Sequence, residues 1–366
     1  MKTWLPIFTI LALILCLTPP DTDARRTHLS AEQKAKLEKV QTVYVNVLAL
    51  TERGRRDPAP LLAIVKQRLE ELGYTVVTDR QQPHDVEFKV KCEERKTWTG
   101  TTRAGGDAEL PDAPARLWKG PACLFTYYLD GQDLGWYKEV RTPFEDALAA
   151  AKAVGVSDAG QYALDQLAEQ LKTYDFPVAV TAEWGQIDRL LALLNDPSTH
   201  KVRKLKILSV LSQMNADEAL PRLTEFLKDK DLEQEAITAL AGAGAESIPI
   251  LIDLFRTATQ PEIKAAAAKT LGHVAATTSD PRTIPPLLEY LKHTLTRIRT
   301  SEDIDFPVLT EVVWALGKLR DERSIEPMAK LQEKIWLIHD NSEEMQALRE
   351  ATNWTYKQLD LDGHLS

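Results

Sequence analysis

Residues 219–223 read Ala219-Leu220-Pro221-Arg222-Leu223, and this phrase decides the fold of the carboxyl-terminal half. Three further copies follow it: Ser247-Ile248-Pro249-Ile250-Leu251, Thr283-Ile284-Pro285-Pro286-Leu287 and Ser324-Ile325-Glu326-Pro327-Met328. A proline in the first turn of a helix is tolerated, because the N–H that it lacks would have no partner there. Each copy opens an apolar helical run, and a second such run follows. The phrase therefore predicts repeated helix pairs.

From Trp184 onward about five helix pairs can be assigned. They are 186–194 with 202–214, 217–228 with 232–243, 247–257 with 261–275, 283–292 with 307–319, and 324–339 with 345–359. Because no single pair buries its own apolar face, neighbouring pairs must stack, and such a solenoid usually provides a binding surface. The insertion 294–306 is expected to project from the stack as a charged loop.

The second helices end in similar phrases that contain a glycine: Thr270-Leu271-Gly272, Ala239-Leu240-Ala241-Gly242 and Ala315-Leu316-Gly317-Lys318-Leu319-Arg320-Asp321. With the opening phrases, they make residues 184–359 resemble HEAT repeats, in the bacterial form also likened to phycobilisome lyase repeats. The copy at 308–331 is the most faithful. The resemblance implies a right-handed superhelix whose second helices line the concave wall. Relatives of these lyases attach pigments, but nothing beyond the repeat supports that activity here.

The helix 308–319 presents two different faces. At about 100° per residue, one face is apolar: Leu309, Val312, Val313 and Leu316. Glu311, Trp314 and Lys318 share the opposite face. A tryptophan flanked by charges and directed away from the core is typical of a protein-binding site. The alternative, that Trp314 packs against the neighbouring repeat or under the insertion, remains open.

The amino-terminal half alternates strands and helices. Strands are expected at 43–47, 74–78, 86–92, 124–129 and 134–140, and helices at 60–72 and 143–174. Asp130-Gly131 is typical of a hairpin turn. The order indicates an α+β domain over 40–180, preceded by a polar lead-in at 25–39 outside the core. The all-α solenoid at 184–359 and a tail at 360–366 complete the chain.

This amino-terminal half also resembles small α+β modules of bacterial envelope proteins, such as the amino-terminal domain of TolB. The likeness is carried by the first strand, the helix ending Leu69-Glu70-Glu71-Leu72-Gly73-Tyr74 and the strand Val76-Val77. Strand, amphipathic helix and Gly-Tyr turn open many unrelated folds. The resemblance therefore implies architecture and no activity.

The gap 100–121 is rich in glycine and proline and poor in apolar residues. It predicts a mobile loop or an extended hairpin tip. Trp98 and Trp118 flank it and are expected to close its base, with holding a ligand as the alternative. No lysine follows a glycine into a helix there, so it lacks the pattern of a phosphate-binding loop. An alternative hypothesis is that the protein is an enzyme, or a subunit of one, and uses this gap as a lid.

The first residues have the pattern of a secretory signal. Lys2 precedes an apolar stretch over 4–17, which is short for a membrane span, and Pro19-Pro20-Asp21 follows. Small residues before Arg25 predict a signal peptide over 1–24, and hence a periplasmic or secreted bacterial protein. A retained membrane anchor is the alternative. A lipid anchor at Cys16 is not expected, because Leu15 stands where that motif requires a small residue.

Cys92 and Cys123 are the cysteines that remain after signal removal. Both lie in strand-like segments, and an exported chain encounters an oxidising compartment. A disulfide is therefore a candidate, with two buried free thiols as the alternative.

The composition and the motifs of the sequence point to no catalytic, metal-binding or nucleic-acid-binding site. A net charge of -9 and the absence of a long basic run argue against general nucleic-acid binding. The seven histidines lack metal-ligand spacing, and no Gly-x-Ser-x-Gly elbow is present. His84 beside Asp85 fits a metal ligand or a base, but a turn beside Pro83 is the favoured explanation. No other stretch is expected to be long and apolar enough to cross a membrane.

The sequence therefore predicts an exported, non-catalytic scaffold of the cell envelope that binds another protein, without cofactor, metal or nucleic acid. The identity of that protein is not encoded in any motif. A structural envelope component with a fixed oligomeric state is a further alternative.

Overall fold

The computed structural model describes residues 29–94, 96–100 and 115–360. The expected signal peptide, Cys16 and the middle of the gap 100–121 lie outside the described residues. The amino-terminal half is a mixed sheet with helices, and all regular elements from residue 176 onward are helical. The predicted fold class, an α+β unit followed by an all-α solenoid, is confirmed.

Eight strands are described: β1 Thr42–Thr51, β2 Gly54–Arg56, β3 Thr75–Val77, β4 Val86–Glu93, β5 Lys96–Gly100, β6 Ala115–Lys119, β7 Ala122–Leu129 and β8 Gln132–Arg141. The main sheet has the order β2-β1-β4-β7-β8, and β3 pairs with the first residues of β1. β1 runs parallel to β3 and β4, whereas β4, β7 and β8 are antiparallel. β5 and β6 form a separate ribbon from the two ends of the glycine-rich gap.

Helices cover one face of this sheet. Side chains alternate across a strand, and Val45, Phe88 and Phe125 belong to the buried set. The helices α2 (Ala59–Glu70) and α4 (Ala159–Thr173) pack over β1 and β4. The predicted helical stretch 143–174 is in fact two helices, because Gly155, with φ of 75°, ends α3 (Ala147–Ala153).

The expected polar lead-in contributes to the core. It contains α1 (Ala31–Leu37), which begins with a capping box between Ser30 and Gln33. However, Leu37 is 1% exposed and Val40 is 0% exposed. The expectation that this segment lies outside the core is therefore wrong. Leu37 is buried at the carboxyl-terminal end of the helix, and Leu29, before the helix, is half-buried against the same core.

The second half consists of five helix pairs: α6 Ile187–Asn195 with α7 Lys201–Leu211, α8 Leu220–Phe226 with α9 Glu233–Ala239, α10 Ile248–Thr257 with α11 Pro261–Thr278, α12 Ile284–Arg297 with α13 Phe306–Leu319, and α14 Ile325–Leu337 with α15 Glu343–Asp360. The opening phrases lie at the starts of α8, α10, α12 and α14. Each is preceded by a short 3-10 turn, and Pro221, Pro249 and Pro285 occupy first-turn positions. The predicted role of the phrase is confirmed.

The insertion 294–306 does not project from the stack, so that expectation is wrong. Helix α12 continues into it as far as Arg297, and Ile298 and Ile304 are buried. Between them, Thr300 and Asp303 form a capping box around a 3-10 turn. The two isoleucines hold the segment against the helices, because their apolar surface is removed from water there.

The second helices approach one another closely at glycines. A Cβ on Gly272 of α11 would lie 2.6 Å from the Cβ of Ala315 in α13, and one on Gly317 would lie 2.7 Å from the ring of Trp354 in α15. The first helices are less tightly packed. α12 and α14 leave a groove of about 540 Å³ between them, lined in part by Leu295, Pro327 and Leu337.

Helix α5 (Phe176–Glu183) connects the two halves. Phe176 stacks on Phe125 of the sheet with ring centroids 4.8 Å apart, and α5 also packs on α6 and α7. An ion cluster links the same elements, since Asp175 accepts from Arg68 of α2 at 2.9 Å and from Arg203 of α7 at 3.0 Å. One continuous apolar core runs from the sheet into the helix pairs.

Gln186, at the start of α6, forms a second connection. Its amide donates to the carbonyl oxygens of Leu37 and Val40 at 3.0 and 2.9 Å, and its Oε1 accepts from Tyr74 at 3.1 Å. Arg189 donates to the same Oε1 at 2.7 Å and lies 4.1 Å above the Tyr74 ring. Every polar atom of the buried amide thus has a partner in this network.

One stretch of the described residues, Glu233–Thr257, is long and apolar enough to span a membrane by length and composition. The expectation that no such stretch exists is therefore wrong as a statement about composition. The chain turns at Gly244, whose φ and ψ are 54° and -138°, so α9 and α10 are separate helices of the stack. Their apolar residues, including Ile237 and Leu251, belong to the repeat core.

Candidate protein-docking surface

Helix α13 carries the three residues singled out from the sequence. Its apolar residues Leu309, Val312, Val313 and Leu316 are all fully buried, as the helical spacing predicts. On the other side, Glu311 and Trp314 are half-buried and Lys318 is exposed. The three residues therefore lie on one stripe along the helix surface.

The ring of Trp314 contacts Trp354 of the next second helix, α15, with centroids 4.8 Å apart and planes tilted by 51°. Both tryptophans are half-buried. Trp314 therefore packs against the neighbouring repeat and still keeps part of its ring accessible. The sequence left two roles open for Trp314, a contact site and packing against the neighbouring repeat, and the structure is compatible with both.

Charged groups flank this aromatic pair. Lys269 of α11 lies 3.9 Å from the carboxylate of Glu311, which places one ion pair across neighbouring second helices. Lys318 is one turn beyond Trp314, and Lys357 is exposed on α15 near Trp354 in sequence. We call the set Lys269, Glu311, Trp314, Lys318 and Trp354 the two-tryptophan surface. Such an arrangement, an aromatic centre with a charged rim, is typical of protein contacts.

Trp354 was not among the residues predicted from the sequence. The signal was available, because the buried face of α15 includes Met345, Leu348, Thr352 and Thr355, and Trp354 lies at the border of that face. What no pattern could show is that this border faces Trp314. That contact depends on the close approach of α13 and α15 at Gly317.

Cys92 and Cys123 form a disulfide in the structure. They lie directly opposite each other on β4 and β7, in the register that pairs Phe88 with Tyr127 and Val90 with Phe125. Both cysteines are buried in the apolar core. The bond therefore crosslinks two central strands and is remote from the two-tryptophan surface.

The candidates His84 and Asp85 have structural partners among the described residues. The Nδ1 atom of His84 lies 2.8 Å from the carbonyl oxygen of Gln82, and its ring contacts Tyr44, which fits a turn. Asp85 accepts from the N–H groups of Gln41 and Thr42 at 2.8 and 2.7 Å. Across the part of the chain that the structure describes, no group of three or more His, Cys, Asp and Glu side chains could hold a metal ion.

The geometry of the carboxyl-terminal half defines an α-solenoid built from stacked helix pairs. Comparison with known families agrees with this, since a HEAT-repeat model matches residues 187–272 and 228–302. A model of the PBS lyase HEAT-like repeat matches residues 308–334. No curated protein and no solved structure matches the chain. The predicted HEAT-like region is therefore confirmed, whereas the likeness to the TolB amino-terminal domain stays a prediction.

Proposed function

We propose that this protein is an exported, non-catalytic scaffold of the cell envelope that binds another protein through its HEAT-like half. Repeats of this type commonly form protein-interaction surfaces. The observation that carries the proposal is the pair Trp314 and Trp354, half-exposed at the centre of a charged rim. Aromatic residues in such positions provide most of the binding energy at protein interfaces.

Two features support export. Residues 4–17 have the apolar pattern of a signal segment. The buried bond between Cys92 and Cys123 is of the kind that persists in oxidising compartments and is rare in reducing ones.

The test is a crosslinked pull-down from the exported fraction, with the wild type beside Trp314→Ala. We expect partner recovery to fall by roughly tenfold or more, because a central tryptophan often contributes over ~2 kcal/mol. Trp336→Ala is a matched control, because Trp336 of α14 is 57% exposed and lies outside the two-tryptophan surface.

Trp314→Ala also removes packing from Trp354, so Lys318→Glu serves as a second variant. Lys318 is exposed and its charge reversal leaves the helix contacts intact. Melting temperatures of all variants show whether they are folded. Unchanged recovery with both Trp314→Ala and Lys318→Glu would contradict the proposed surface. Absence of the chain from the exported fraction would contradict the proposed location.

A further inference from the structure

A cleft of about 470 Å³ lies where the amino-terminal unit meets the first helix pair. Most of its walls come from α1, β8, α5 and α7. Its volume is within the range of ~300–1,000 Å³ typical of ligand sites, which often lie between structural units. The cleft contains no residue of the two-tryptophan surface, so it is a separate site.

Three lysines line this cleft from three elements: Lys34 of α1, Lys138 of β8 and Lys206 of α7. All three are exposed, and none of their ammonium groups contacts a carboxylate or an acceptor within the described ranges. By contrast, Lys36 pairs with Asp130 at 3.0 Å elsewhere on α1. The cleft therefore gathers positive charge that no ion pair among the described residues neutralises.

The carboxylates in the lining only partly offset these lysines. Glu183 already accepts a hydrogen bond from the Tyr127 hydroxyl at 3.3 Å. Glu38 is exposed at the edge of the cleft, close to Gly185. Since the whole chain carries a net charge of -9, a positive cleft is a local exception to a surface that is acidic on balance.

The floor of the cleft is apolar. Its accessible part comes from Tyr174, Ala179 and Ala182, which are half-buried and lie beside the buried rings of Trp136 and Trp184. Trp184 is 1% exposed, and its indole N–H has no acceptor among the described residues. Its ring is fixed edge-on to Tyr74 and Tyr127, with centroids 5.3 and 5.8 Å away. The floor is therefore a rigid apolar surface beneath a ring of flexible cations.

We propose that this cleft binds an acidic segment of a partner polypeptide. Its carboxylates contact Lys34, Lys138 and Lys206, and an apolar side chain between them lies on the apolar floor. Charge complementarity selects an acidic partner over a basic one. The apolar floor selects a polypeptide over a simple anion, because an anion gains nothing from that surface.

The probe is a short acetylated peptide that alternates glutamate with leucine and alanine, titrated into the full chain by calorimetry. We expect it to bind at least about fivefold more tightly than the same peptide with glutamine at every glutamate position. The affinity should fall as salt is added, because exposed charges are screened. Citrate, which has the charge without the leucines, should bind much more weakly.

Lys206→Glu and Lys138→Glu should each weaken binding of the acidic peptide by roughly three- to tenfold. Lys292→Glu is the matched control, because Lys292 is exposed on α12, outside the cleft. Trp314→Ala should leave peptide binding unchanged, which separates this site from the two-tryptophan surface. Equal affinity for the glutamine peptide or for citrate would overturn the proposal. So would equal effects of Lys206→Glu and Lys292→Glu.

Discussion

Gln186 and Tyr74 show how single residues join the two halves. Gln186 lies 149 and 146 positions from Leu37 and Val40, the residues whose carbonyl oxygens it binds. Hydrophobic periodicity predicted α6 but assigned no role to a polar residue at its start. The partners of a buried amide come from distant parts of the chain, so no local pattern identifies them. The same reason explains why Leu37 was expected outside the core.

Tyr74→Phe tests this network at the level of one oxygen atom. The hydroxyl lies 2.8 Å from that of Thr181 and donates to Gln186, so its loss should cost about 1 kcal/mol of unfolding free energy at neutral pH. Burial raises the pKa of Tyr74 to about 12. The folded chain therefore holds this proton more tightly than the unfolded chain, whose tyrosines titrate near ~10.

The sign of the pH effect follows from this difference. The stabilisation is complete below about pH 10 and is lost as the pH rises through about 12. The free energy of unfolding, measured with urea near pH 8 and near pH 11, should fall more between these two pH values for the wild type than for Tyr74→Phe. Tyr137→Phe is the control, because Tyr137 is 56% exposed. Equal losses in the wild type and Tyr74→Phe would contradict the assignment.

At the scale of elements, the repeated phrase and the helical spacing predicted all five pairs of the stack. They succeeded because most of the helix starts, those of α8, α10, α11, α12, α13 and α14, have a local cause, a proline or a 3-10 turn, and because the buried faces have a regular period. The insertion 294–306 was not predictable in the same way. Ile298 and Ile304 are isolated apolar residues in a polar stretch, and only the neighbouring helices show that both are buried.

Gly272→Val tests the close approach of α11 and α13. The added side chain would meet the Cβ and Cα atoms of Ala315, so we expect a loss of about 1–3 kcal/mol from overpacking. Ala276→Val is the matched control on the same helix, at an exposed position. Gly272→Val raises helix propensity and Ala276→Val lowers it, so a lower melting temperature for Gly272→Val than for the control comes from the contact. No difference would show that the two helices are not closely packed.

At the scale of the whole molecule, the sheet and the helix pairs share one core. The sequence predicted a division between 180 and 184, but Gln186 binds Leu37 and Val40 across it and Asp175 pairs with Arg203 across it. Composition changes sharply there, which is why the texture of the sequence suggested a boundary. The contacts that cross it involve residues far apart in the chain, so they are visible in the fold alone.

We therefore expect the full chain to unfold in a single transition. Phe176 and the ion pairs of Asp175 with Arg68 and Arg203 would have to separate before either half could unfold alone. Urea curves followed by far-ultraviolet circular dichroism and by tryptophan fluorescence should coincide. Arg203→Ala should shift both curves together to lower urea. Two resolved transitions in the wild type would contradict a shared core.

The second helices of the stack pack more closely than the first helices, so the two layers respond differently when the stack bends. Gly272 and Gly317 leave no slack between the second helices, whereas α12 and α14 stand apart around Leu295 and Leu337. The second helices therefore keep their spacing, and bending of the stack has to change the width of the groove between α12 and α14. Straightening the stack would narrow this groove and compress Leu295 and Leu337. These two leucines therefore limit how far a bound partner can extend the stack.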